Sequence, residues 1–140
     1  MSTLTPVLAL IVWTFVLWIW LYVTRIPAMR AAGMHKFKTK DDLKSLPRAV
    51  QNIADNYNHL HEQPTIFYAL AIYSHLAGNA DALNVGLAWA YVAIRVVHSL
   101  IQCTSNFIPA RFMVFAIGTL VLLVMTIRNV IELFPARIVM

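Results

Sequence analysis

The sequence predicts an all-α membrane protein, built as a left-handed bundle of four transmembrane helices. Of the 140 residues, 60% are apolar and only 12% are charged, whereas a soluble domain carries about 25% charged residues. Four segments are mostly apolar over the roughly 20 residues that a membrane helix needs. The basic residues are also concentrated, since seven of the eleven Lys and Arg lie between Arg25 and Arg48. Such clustering is typical of a cytoplasmic loop.

The predicted helices form a single membrane domain over residues 1–140. They cover about residues 5–23, 46–77, 82–103 and 111–134, and a basic cytosolic loop covers residues 24–47. The second helix is longer than a membrane is thick, so its polar first half is expected to lie outside the hydrocarbon core. We expect Pro64 to bend this helix where it enters the membrane, because proline lacks an amide donor.

The charge pattern predicts orientation and excludes one class of partner. A cytosolic loop between the first two of four helices places both termini on the outer side. No nucleic-acid binding is expected, because no platform of aromatic and basic residues accompanies the loop. Near the end of the last helix, Arg128 and Glu132 are interpreted as an i, i+4 pair at the surface or in a subunit contact.

Polar side chains share one face of the second helix, in its first half. At about 100° per residue, the residues on or beside this face are Arg48, Asn52, Asp55, Asn58, His59 and Glu62. They form either a solvated face of a protruding helix or a binding site. Glu62 favours the site, because it stands just before Pro64, where the membrane begins and carboxylates are usually paired.

The third helix offers partners for this face. Arg95 and His98 lie one turn apart in the stretch RVVHSLIQC. Glu62 and His98 are equally far along the chain from the short turn that joins their helices, so we expect them at the same depth. The sequence therefore predicts that Glu62 contacts Arg95 or His98, within one chain or across a subunit interface. The contact is either a structural ion pair or part of a ligand site.

Neither a metal nor a haem group is expected. His75 and His98 would lie roughly 20 Å apart along adjacent helices, too far to ligate one iron. The stretch HLHE lacks the HExxH spacing, and no second cluster of ligands accompanies it.

Several motifs resemble those of the MAPEG family, four-helix membrane proteins that include the microsomal glutathione transferases. The stretch NHLHEQPTIFY is similar to the bacterial form of the family's second-helix motif, and RVVHS is similar to the third-helix motif R-x-x-H-[ST]. Arg111 follows Arg95 at the spacing found in that family. The resemblance covers most of the chain and places the protein in a bacterial inner membrane, with its termini in the periplasm.

The resemblance implies a homotrimer that binds glutathione between subunits, near the cytosolic face. Arg111, which begins the fourth helix, would stabilise the glutathione thiolate, while an apolar substrate arrives from the membrane lipid. The residues that would hold glutathione are Arg48, Asn52, Asp55, Asn58, His59, Glu62, Arg95 and His98. Their individual roles stay open, because three registers each fit only part of the family pattern R-x-x-x-N-x-x-E.

Two functions follow as alternatives. The first is a membrane-bound glutathione transferase or peroxidase that acts on apolar electrophiles or lipid hydroperoxides. The second is a non-catalytic trimeric scaffold or lipid-binding protein of the same fold, favoured by Gln102, which stands where the family often has tyrosine. The two functions predict different roles for Arg111: it activates a thiol in the enzyme and contacts lipid phosphates in the alternative.

Overall fold

The computed structural model describes residues 2–134, and within that range the chain is all-α with no β-strand. The helices are α1 (Leu4–Ala32), α2 (Arg48–His59), α3 (Pro64–Leu76), α4 (Ala82–Cys103) and α5 (Ile108–Ile131), with short 3₁₀ helices at Met34–Lys36 and Lys40–Ser45. Three of them, α1, α4 and α5, are long and apolar enough to cross a membrane. The prediction that both termini lie on the outer side of the membrane concerns the two ends of the chain. Met1 and residues 135–140 lie outside the described residues.

The first helix is longer than predicted. It was expected to end at residue 23, but α1 runs for 29 residues to Ala32, which is roughly 43 Å against a hydrocarbon core of about 30 Å. The helix continues through Pro27 and ends at Gly33, whose φ of 98° suits glycine. The last turns of α1, including Arg25 and Arg30, therefore belong outside the hydrocarbon core.

The predicted second helix is interrupted. Instead of one bent helix over 46–77, the chain forms α2 and α3 with a turn at residues 60–63. Pro64 begins α3 and cannot donate to the carbonyl one turn earlier. The turn uses tighter bonds, such as the one from the Glu62 N–H to the His59 carbonyl at 3.1 Å. Alone, α3 covers only about 20 Å, so the prediction of four complete membrane helices is not confirmed.

The turn between α2 and α3 is anchored to the rest of the bundle. The side-chain amide of Gln63 donates to Thr119 Oγ1 at 2.7 Å and accepts from the Tyr91 hydroxyl at 3.1 Å. Phe67 stacks on the Tyr91 ring with a centroid separation of 4.8 Å. The interruption is therefore held against α4 and α5 by both polar and aromatic contacts.

The core lies between all five helices, with α2 contributing Ile53 and Ala54. The most extensive helix pair is α4 with α5, while α1 packs against α2 and α4. Trp13 on α1 donates from Nε1 to Ser99 Oγ on α4 at 3.1 Å. The main core residues are Leu10, Leu17, Leu21, Phe67, Ala71, Ala88, Tyr91, Leu122 and Met125. Many large apolar side chains point outward, as expected for helices that face lipid.

A charged contact joins the turn between α3 and α4 to the end of α5. Arg128 NH2 lies 2.6 Å from Asp81 Oδ2, and Arg128 Nε donates to Asn84 Oδ1 at 2.9 Å. The predicted pairing of Arg128 with Glu132 is therefore wrong, because Glu132 forms no salt bridge in the described part of the chain. Packing of α4 against α5 instead brings the carboxylate of Asp81, just before α4, beside the guanidinium of Arg128.

A buried amide supports the same connection. Asn129 is 4% exposed, and its Nδ2 donates to Ser74 Oγ and to the Met125 carbonyl, each at 2.9 Å. Its Oδ1 accepts from Asn79 Nδ2 at 2.9 Å. One side chain thus satisfies groups on α3, on the following turn and on α5.

Replacement of this amide is expected to destabilise the protein. Asn129→Leu should lower the free energy of unfolding by about 1–3 kcal/mol, because buried polar partners lose their hydrogen bonds. Thermal unfolding in detergent measures the loss. Val130→Leu, at the exposed neighbouring position, is the control and should change little. Equal stability of the two variants would contradict the role given to Asn129.

Candidate functional site

A polar anchor opens α5 at the end of the bundle that carries the basic loop. Pro109 lies in the first turn of α5, and Arg111 follows it, half-buried. Arg111 NH1 donates to Asn106 Oδ1 at 2.6 Å, and Asn106 Nδ2 donates to Asn52 Oδ1 on α2 at 3.2 Å. Asn106 has a φ of 50°, a conformation that asparagine tolerates better than most residues. These contacts orient the guanidinium and join α5 to α2.

A cavity of about 210 Å³ lies beside this anchor. The residues that line it are His59, His98, Ile108, Arg111, Phe112 and Phe115. The four lining residues on α5 share one face, because they are spaced at i, i+3, i+4 and i+7. The cavity therefore combines one cation and two imidazoles with an apolar wall.

Two histidines face each other at the cavity. The ring centroids of His59 and His98 are 5.1 Å apart, and Phe115 stands edge-on to His59 with a centroid separation of 5.6 Å. The Nδ1 atoms of both histidines are buried and have no hydrogen-bond partner in the described part of the chain. The pair thus contains two buried polar atoms that the described part of the chain leaves without a partner.

The pKa of His59 should make stability depend on pH. Burial first, and then the charge of Arg95, lower this pKa below its ordinary value of 6.5, while Arg111 lowers it further and Glu62 opposes the shift. The unfolded chain then binds a proton more readily than the folded protein. The contribution of His59 to stability is therefore fully present above pH 6.5 and decreases as the pH falls below that value towards the lowered pKa.

The melting temperature in detergent should accordingly fall as the pH drops below 6.5. His59→Gln should reduce this dependence, because the neutral amide does not titrate. His61→Gln removes an exposed histidine from the next turn and should leave the pH profile unchanged. An unaltered profile in His59→Gln would rule out His59 as the responsible group.

Arg95 is buried without a partner. It is 1% exposed, and none of its three guanidinium nitrogens has a hydrogen-bond partner among residues 2–134. It lies on α4, one turn from His98. An unpaired charge in this position is costly, so the arrangement favours an anion supplied from outside the chain, by a ligand or another subunit.

Glu62 forms neither a salt bridge nor a hydrogen bond with Arg95 in the described residues. Its side chain is exposed, and no salt bridge to Arg95 or His98 is present in the described residues. The predicted contact is therefore absent within one chain, because the turn at residues 60–63 moves Glu62 off the helical face. A contact across a subunit interface stays a prediction.

The structure divides the rest of the predicted face. Asn52 and His59 belong to the anchor and cavity at Arg111. Asp55 and Asn58 line a separate cavity beside the basic loop, and Arg48 is exposed at the start of α2. The residues of the predicted face thus divide between two cavities, since α2 packs against both α1 and α4 and the basic loop lies beside it.

Some site residues were missed from the sequence. Asn106 lies just before a helix whose first turn contains Pro109. This proline indicates a turn before the helix, but it does not indicate that Asn106 contacts Asn52. Phe112 and Phe115 share a face with Arg111, and that spacing could have indicated them. Within residues 2–134, no three His, Cys, Asp or Glu side chains are grouped to hold a metal ion.

The helices and the cavity define a multi-helix membrane protein with an arginine and histidine site at one end of its bundle. The chain belongs to the MAPEG family, whose family model matches residues 3–131. The resemblance predicted from the motifs is thereby confirmed. Comparisons with curated proteins and with solved structures gave no match.

Proposed function

We propose that this protein is a membrane-bound glutathione transferase or peroxidase that acts on apolar electrophiles or lipid hydroperoxides. The observation that carries the proposal is the guanidinium of Arg111, which Asn106 orients beside a cavity with histidine and phenylalanine walls. Membership of the MAPEG family fits this activity. The proposal includes a homotrimer in a bacterial inner membrane, with the loop in the cytosol and the termini in the periplasm.

Arg111 would activate the thiol of glutathione. A free thiol has a pKa near ~8.5 and is mostly protonated at neutral pH, and a neighbouring cation favours the thiolate. The N-terminus of α5 adds partial positive charge. A shift of about two units requires only ~3 kcal/mol. His59 stays neutral beside Arg111 because its pKa is lowered, so it adds no competing charge, and the thiol proton passes to water.

The thiolate supports both reactions. In conjugation, its sulfur forms a bond to the electrophilic carbon of the apolar substrate. Either a leaving group departs with its bonding electron pair, or a carbon–carbon π bond breaks and the resulting carbanion takes a proton from water. In hydroperoxide reduction, it attacks the terminal oxygen, and the O–O bond breaks to release an alcohol. A second glutathione then completes the reaction, yielding glutathione disulfide and water.

The surroundings of the cavity suit both substrates. Glutathione carries carboxylates, and Arg95, which is buried one turn from the cavity residue His98 without lining the cavity itself, lacks an anionic partner in the described residues. Ile108 and Phe112 are among the most exposed apolar side chains, at 69% and 72%. The apolar wall of the cavity therefore borders the lipid, from which an apolar substrate can arrive.

Binding of glutathione tests the proposal directly. Addition of glutathione to the purified protein should produce the ultraviolet absorbance of a thiolate at a pH well below 8. S-methylglutathione is the control, since it has no thiol and should bind without that absorbance. Absence of both binding and thiolate would refute the proposed activity.

A non-catalytic scaffold or lipid-binding protein is the second candidate. It is favoured by the placement of Arg48, Asp55, Asn58 and Glu62, which do not line the cavity at Arg111. This candidate predicts an assembled protein that binds neither glutathione nor its S-methyl derivative.

A further inference from the structure

We propose that a second cavity, between the end of α1, the basic loop and α2, binds the headgroup of an anionic phospholipid. This cavity measures about 500 Å³ and shares no lining residue with the cavity at Arg111. Its charged lining residues are Arg25, Lys40, Asp41, Lys44 and Asp55. The inference does not depend on the proposed thiol chemistry.

The depth of Arg25 fits a lipid headgroup. A helix needs about 20 residues to cross the hydrocarbon core, and α1 begins at Leu4. Arg25 therefore follows directly after the end of a full span. Trp18 and Tyr22 in the preceding turns pack against each other with their rings tilted and the ring centroids 4.7 Å apart, and such aromatic residues are enriched at membrane interfaces. Arg25 thus lies at the level of the lipid phosphates.

The basic residues that line the cavity outnumber the acidic ones. Arg25 Nε is buried without a hydrogen-bond partner in the described residues. Lys44 is compensated by Asp41, at 3.4 Å, but no described acidic residue forms a salt bridge with Arg25 or Lys40. Asp55 on the opposite wall weakens the positive potential without cancelling it. Basic pockets of this kind beside membrane helices bind anionic headgroups.

The loop that contributes the lysines is held in place. The backbone N–H groups of Lys38 and Thr39 both donate to Asp42 Oδ2 at 3.0 Å, and these bonds lower the pKa of the Asp42 carboxyl. Gln51 on α2 donates to the Leu46 carbonyl at 2.6 Å. The lysines of the loop are therefore presented by a fixed segment that is tied to α2.

An apolar wall favours a lipid over a free anion. Leu43, Leu46 and Val50 line the cavity together with its charged residues. Inorganic phosphate would leave this apolar surface in contact with water. The glycerol and first methylene groups of a phospholipid would cover it, while the phosphate contacts Arg25 and Lys40.

Native mass spectrometry of the full chain in a neutral detergent tests the site, with dioleoyl phosphatidylglycerol as the probe. Arg25→Ala and Lys40→Ala should each weaken lipid retention about fivefold, and Asp55→Asn should strengthen it. Arg30→Ala on the same helix and Lys38→Ala in the same loop are matched controls that should retain wild-type binding. Dioleoyl phosphatidylcholine should be retained poorly.

Three results would overturn the inference. Equal losses in the control variants would show diffuse attraction in place of a site. Displacement of the lipid by inorganic phosphate at similar concentration would identify a free-anion site. Displacement by glutathione would assign the cavity to the thiol ligand. Lys40 is exposed in the loop, so its variant keeps the test valid even if Arg25→Ala does not fold.

Discussion

Arg111→Ala is expected to reduce the thiolate fraction of bound glutathione at pH 7 roughly 25-fold, as the thiol pKa returns from about 6.5 towards ~8.5. Arg111→Lys should restore only part of it, because an ammonium supplies charge but not the planar geometry that a guanidinium offers to Asn106. Thiolate absorbance as a function of pH measures both effects, and conjugation of an apolar electrophile should decrease in parallel.

Arg30→Ala is the matched control for this experiment. It removes the same charge from an exposed position near the end of α1, so the thiolate fraction should not change. Thermal unfolding establishes that each variant is folded. If Arg111→Ala forms as much thiolate as the wild-type protein, Arg111 does not activate the thiol, and contact with lipid phosphates becomes its role.

Arg95→Met should raise the stability of the ligand-free protein. Methionine fills a similar volume without a charge, and replacing uncompensated buried charge by apolar residues can stabilise proteins by about 1–4 kcal/mol. The same variant should lose most of the stabilisation that glutathione gives to the wild-type protein. Thermal unfolding with and without glutathione measures both effects.

The opposite outcome for Arg95 is equally informative. A strong loss of stability in Arg95→Met, in the absence of glutathione, would mean that the guanidinium already has a counter-charge in the assembled protein. Glu62 of a neighbouring subunit is the residue to test next, since its carboxylate is exposed. Glu62→Gln should then cause a similar loss, whereas it should have little effect if Glu62 meets only water.

The membrane helices were largely predictable because apolar length is a direct property of the sequence. Their ends were less so. Pro27 disfavours a helix interior, yet α1 continues through it and ends only before Gly33. Pro64 predicted a bend in the second helix, whereas the structure has an interruption. The tight turn at the interruption depends on hydrogen bonds that join Gln63 to Tyr91 and Thr119, which lie far away in the sequence.

The site was predictable where one helix determines the arrangement. The place of Arg111 in the first turns of α5 follows from Pro109, and the stripe of Arg95 and His98 follows from helical spacing. Contacts between elements were not predictable in the same way. The link from Asn52 through Asn106 to Arg111 requires the turn after α4 to approach α2, and helical periodicity contains no information on that approach.

During synthesis, α3 would reach the membrane with too little apolar length to remain there alone. Its 13 residues cover about 20 Å, against the ~30 Å of hydrocarbon to be crossed. The polar turn before it cannot extend the span without carrying Glu62 into lipid. Because α4 begins at Ala82, shortly after α3 ends at Leu76, the two helices are suited to insert together as a hairpin. Because of the interruption at residues 60–63, the hairpin of α3 and α4 is thus the segment that inserts into the bilayer as one piece.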